Sequence, residues 1–142
     1  MNPHEVEEIL TGAYRRQAAC YSQALEAARS IDAALGQGAD QSAAMQRLSA
    51  MLDEVGIIEA DIREDKRLWQ QASRPAGLEL RAVLDQVAGL IQALRACVGS
   101  AEQTARAETE RLAPKLDQLV RGRHMQAAYQ GTMAAGKSSS HS

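Results

Sequence analysis

Apolar residues recur along three long stretches in alternating steps of four and three. Leu10, Tyr14, Gln17, Tyr21, Ala24, Ala28, Ile31 and Leu35 set the rhythm in the first. Leu48, Met51, Val55, Ile58, Ile62, Asp65, Trp69 and Ala72 repeat it, as do Leu80, Leu84, Val87, Ile91, Leu94, Val98, Ala101 and Ala105. Side chains three and four residues apart share one side of an α-helix, so each set predicts an amphipathic helix at near-heptad period. Three such stripes predict helices packed at a shallow crossing angle.

The punctuation agrees with these limits. Pro3 suits a first helical turn, and Glu5, Glu7 and Glu8 complement the positive N-terminal end of a helix. Gly36-Gln37-Gly38 predicts a C-terminal stop, after which Asp40 or Ser42 can cap the next helix. Pro75 disfavours helix at Arg74 and predicts the end of the second stretch, with Pro75 in or near the first turn of the third. Both connections are short, so neighbouring helices should run antiparallel. The expected fold class is all-α: an elongated, coiled-coil-like three-helix bundle running up, down and up, with a shorter C-terminal helical segment. At about 1.5 Å per residue, 30-residue helices would make a narrow rod.

The third stretch thins after Val98, where Gly99 and Ser100 are poor helix residues. Pro114 predicts a kink or a new helix near Leu112. Beyond it stands a further apolar series of Leu112, Leu116, Leu119, Val120, Met125, Tyr129 and Met133. Residues 134–142 are small, polar and rich in Ser, which predicts a disordered tail. One helical domain over 1–133 is expected, a size consistent with the 142-residue length.

Composition strengthens the helical reading. Apolar residues make up 45% of the chain, yet aromatics only 3%, with no Phe. The core must therefore use Ala, Leu, Ile, Val and Met, among which Ala and Leu favour helix. The net charge of −2 offers no basic footprint for nucleic acid. Two cysteines, Cys20 and Cys97, are too few for a disulfide framework. The acidic start lacks the pattern of a signal peptide, and the Ala82–Leu94 run is too short and polar to span a bilayer. A cytoplasmic protein with reduced thiols is expected.

Candidate chemistry is sparse. No Gly-rich phosphate loop, Cys-x-x-Cys or His-Glu-x-x-His occurs, and His4, His124 and His141 lie near the chain ends. Neither a metal, a cofactor nor an enzymatic activity is expected. The charged run from Glu59 to Arg67 reads as a solvated face with helical pairs such as Glu59–Arg63. Asp65 within the apolar stripe has no explanation at this level, beyond an exposed end or a basic partner on another helix. Cys20 and Cys97 should lie at similar heights, as small buried hydrophobes by default. Trp69 reads as a cap on the core. The C-terminal series has two readings: it folds back as a fourth helix, or it binds an amphipathic helix of a partner.

The long first helix through Leu35, the break at Gly38-Ala39-Asp40, the run from Leu48 to Glu59 and the late Tyr129-Gln130-Gly131 resemble flagellar export chaperones of the FlgN family. The resemblance covers about residues 5 to 136, and Gln130 interrupts the Tyr-Gly pair of that family. It implies a chaperone that binds the amphipathic C-terminal helix of hook-associated proteins, prevents their premature assembly and aids type III export. By position, the client-binding segment would be Leu112 to Met133, with Tyr129 as the matching aromatic. The alternative is a helical scaffold that self-associates as a homodimer through its own stripes.

Overall fold

The computed structural model describes residues 2–129. They form four helices: α1 (Pro3–Gln37), α2 (Ser42–Asp61), α3 (Arg63–Ala72) and α4 (Leu78–Tyr129). The chain divides into two units, Met1–Thr104 and Ala105–Ser142. Met133 and the expected tail 134–142 lie outside the described residues.

Each end of α1 has a local cause. Asn2 is the N-cap, its Oδ1 accepting the Glu5 N–H at 2.9 Å, with Pro3 behind it in the first turn. The Asn2 cap was not among the sequence expectations. At the other end Gly38 takes φ 68°, and its N–H is offered to the carbonyls of Ala34 and Leu35. This left-handed residue is the stop that Gly36-Gln37-Gly38 predicts. Asp40 Oδ1 then accepts both the N–H and the hydroxyl of Ser42, at 3.0 and 2.7 Å. These bonds hold the Asp40 carboxyl below its ordinary pKa and turn the chain into α2.

The single second helix expected from the stripe is two. Ile62 leaves helical geometry at φ −103°, ψ 9°, separating α2 from α3. No Pro or Gly stands there, and Ile62 itself is buried in the core, 2% exposed. Hydrogen bonds still run from the Ile62 N–H to Ile58 and from the Lys66 N–H to Ile62, so the chain bends rather than turns back. α3 ends at Ser73, whose φ of 52° is left-handed.

Two further expectations are corrected. Pro75 lies in the connection, and α4 begins only at Leu78, where the Arg81 N–H bonds back to the Gly77 carbonyl. The Gly77 N–H is taken by the Glu7 carboxylate of α1, and a Cβ at residue 77 would stand 2.9 Å from that oxygen. Of the two readings of Pro114, the new helix is not found: Pro114 sits inside α4, leaving the Glu110 carbonyl without its usual helical donor. The C-terminal segment is thus the later part of α4.

Polar pairs give the helix directions. Gln17 meets Glu59 and Glu26 meets Arg47, so α2 runs antiparallel to α1. Glu7 meets Gly77, Arg15 meets Glu79, and Asp32 accepts from Ser100 and Thr104, so this part of α4 runs parallel to α1. The up-down-up order therefore holds within Met1–Thr104.

The core forms two clusters with α1 in both. One joins Val6, Leu10, Ala13, Ile58, Ile62, Leu80 and Val83, with Trp69 and Cys20 against it. The other joins Ala24, Ala28 and Leu94, with Tyr21, Leu48, Met51 and Cys97 against it. Because α1 has neighbours on two sides, it also buries Thr11, Ala18, Leu25 and Ala27, outside the heptad seam. On α4, Val83 is buried while Leu84, expected inside, is 37% exposed.

Leu80→Ala should lower stability by about 2–4 kcal/mol, through lost burial and the cavity left behind, read from the urea midpoint. Ser73→Gly should raise it by about 1 kcal/mol, because glycine adopts φ 52° without the strain serine bears.

Candidate functional site

The C-terminal apolar series falls on the later part of α4. Leu112 is 41% and Val120 is 52% exposed. Among the described side chains after Thr104 none is buried. Leu116, Leu119, Met125 and Tyr129 occupy helical positions, but their side chains lie outside the described ones, as Met133 does altogether. With α4 unbroken at Pro114, positions 112, 116 and 119 fall on one stripe and 120 at its edge. Positions 125 and 129 then sit on a different side, at about 100–140° by the helical repeat. The structure thus aligns part of the expected partner-binding set and not all of it.

A second constellation joins α1, α2 and α3. Gln17, only 2% exposed, donates from Nε2 to Glu59 Oε1 at 3.0 Å. Lys66 Nζ bonds the other carboxylate oxygen at 3.1 Å. The expected helical pair Glu59–Arg63 gives way to this longer one, because the bend at Ile62 carries Lys66 towards Glu59. Burial alone would raise the Glu59 carboxyl. The hydrogen bonds from Gln17 and Lys66, with the charges of Lys66 and Arg63, outweigh it and leave the group below its ordinary value. Lys66 is raised, first by its bond to Glu59. The neighbouring Tyr14 phenol is pushed up, mainly by burial. A buried partner for Gln17 was not among the sequence expectations; a polar residue on the apolar stripe is the signal that could have pointed to one. Asp65 is half-buried, and no ion pair reaches it among the described residues.

The remaining candidates separate. Cys20 and Cys97 are free and pack against different clusters, and both are half-buried rather than the fully buried hydrophobes expected by default. Burial raises the Cys20 thiol, which disfavours the reactive thiolate. Trp69 packs partly against the first cluster, as a cap would. A cleft of about 680 Å³ lies between the start of α1 and the first turn of α4, lined by His4, Glu7, Glu8, Arg15 and Leu78 among others. Its polar groups are already engaged: Glu7 with the Gly77 N–H, His4 with Glu8 and Arg15 with Glu79. Among the described residues no three His, Cys, Asp or Glu side chains gather as a metal site.

The stretch Leu78–Pro114 is long and apolar enough, by length and composition, to cross a membrane, more than the Ala82–Leu94 run suggests. Only 17% of its most apolar window is buried. Exposed alanines such as Ala82, Ala88 and Ala96 supply much of that apolarity, and alanine also serves helix formation.

The Gln17–Glu59–Lys66 group has a pH signature. A carboxyl whose folded pKa is depressed contributes stability above its unfolded value and loses it as the pH falls through the folded one. The gap in urea midpoint between the protein and Glu59→Gln should therefore be widest near neutrality and narrow below about pH 4.5. For Lys66 the raised folded value sets the opposite limb: its contribution is present below the ordinary lysine range and is lost as the pH rises through the raised value. Comparison with known protein families, curated proteins and solved structures gave no match for this chain.

Proposed function

We propose that this chain is a partner-binding helical bundle, a cytoplasmic export chaperone that holds an amphipathic helix of a hook-associated flagellar client until export. One observation carries the reading: Leu112 and Val120 stand exposed on the later part of α4, where no described side chain is buried. A client helix that later polymerises has an apolar stripe that must be covered reversibly, and exposed apolar residues on a partner helix do that. The sequence resemblance to the FlgN family supplies the client class, and the all-α bundle is compatible with it. Nothing catalytic is required: the work is differential burial of apolar surface.

Burying a Leu or Val side chain at an interface is worth about 1.5–3 kcal/mol, and each 1.4 kcal/mol is tenfold in affinity. The double variant Leu112→Glu/Val120→Glu should therefore weaken binding of a labelled peptide, the C-terminal helix of a hook-associated protein, at least tenfold by fluorescence anisotropy. Circular dichroism should show the helicity retained, because both positions are exposed. Equal binding by the variant, or no binding of the peptide by the parent protein, would refute the chaperone reading. A stable dimer in light scattering that indifferently ignores the peptide would favour the self-associating scaffold instead.

A further inference from the structure

We propose that α3 is a hinged flap, opening as a unit over an apolar furrow between α1 and α4 while the rest of Met1–Thr104 stays packed. Both ends of α3 depart from helix. Ile62 at φ −103°, ψ 9° precedes it, and Ser73 at φ 52° follows, the one non-glycine with positive φ among the described residues. Between these points the backbone is a regular ten-residue helix that detaches as one unit; a helix this short is marginal in water, so once it has left the core its amide hydrogen bonds open.

Little holds the flap down. α3 buries no residue, whereas α1 buries ten. Its apolar hold is the partial packing of Leu68 and Trp69 on the first core cluster. Among the described residues, Lys66 is the one α3 residue whose side chain bonds other helices, at Glu59 of α2 and Tyr14 of α1. The Arg67–Glu64 pair lies within α3 and travels with it. Segments with few buried apolar contacts open locally at a free energy below that of global unfolding.

Beneath the flap the fit is incomplete. A half-open groove of about 130 Å³ is lined by Leu10, Tyr14, Trp69, Leu80 and Leu84, with Lys66 and Gln70 at its polar side. The concavity is partly open to solvent, so α3 does not seal against α1 and α4 there, and that seam forfeits dispersion contacts a close fit would make. Opening also leaves no orphaned charge inside. Glu59 keeps its bond from buried Gln17, and Lys66 moves into water, where an ammonium is well solvated. The open form presents Leu10, Tyr14, Leu80 and Leu84 as an apolar furrow.

Hydrogen exchange on the full-length chain tests this directly. Amides of residues 66–72 should exchange at least tenfold faster than those of residues 14–28, at a rate that low urea does not change. Lys66→Met keeps the apolar stem and removes the tie to Glu59. It should speed α3 exchange at least threefold, leave α1 exchange unchanged, and increase acrylamide quenching of Trp69, the chain's single tryptophan. A common exchange rate for α3 and α1 in the unmodified protein would overturn the flap. So would a Lys66→Met effect spread evenly over all helices, which is the mark of global destabilisation.

Discussion

The burial of α1 on two sides at once is the constraint from which the rest of Met1–Thr104 follows. Val6, Leu10, Gln17, Ala24 and Ala28 run along its seam, and Thr11, Ala13, Ala18, Leu25 and Ala27 extend the buried arc. A helix that meets one neighbour needs a narrow stripe; one that is a wall for two needs a wide one. The small residues in this arc let the neighbours approach closely. With no Phe and one Trp, close approach of backbones replaces large side chains as the means of filling space.

Apolar contacts of this kind are poor at choosing direction, since an alanine seam fits a neighbour in either sense. Direction is marked by polar pairs. Glu26–Arg47 and Gln17–Glu59 fit only an antiparallel α2, and Glu7–Gly77 with Asp32–Ser100 fit only a parallel α4. Most of these groups are exposed and contribute little net stability. Gln17 differs, because its amide is buried and would be costly without Glu59. The alternative arrangement is disfavoured by the cost of leaving that amide unpaired.

The same economy bears on function. Apolar residues in α1 are largely consumed by the fold, while Leu112 and Val120 are not. The apolar series after Pro114 was legible as a series. Its alignment was not, because Pro114 reads as a helix breaker and the register beyond it depends on whether the helix continues. Once α4 continues, positions 112, 116 and 119 share a stripe and 125 and 129 leave it. The break at Ile62 was invisible for the opposite reason: no residue there resists helix strongly, so nothing local marks it.

Helix content, the stripes and the stops at Gly38 and before Pro75 were decided by the chain itself, because propensity, periodicity and left-handed backbone are local properties. Only the tertiary structure decided that α1 is shared by two clusters, that Lys66 rather than Arg63 meets Glu59, and that Cys20 and Cys97 pack against different clusters. Those outcomes depend on which helix faces lie against which and, for the Glu59–Lys66 pair, on the bend at Ile62 between them, neither of which leaves a local trace in the sequence.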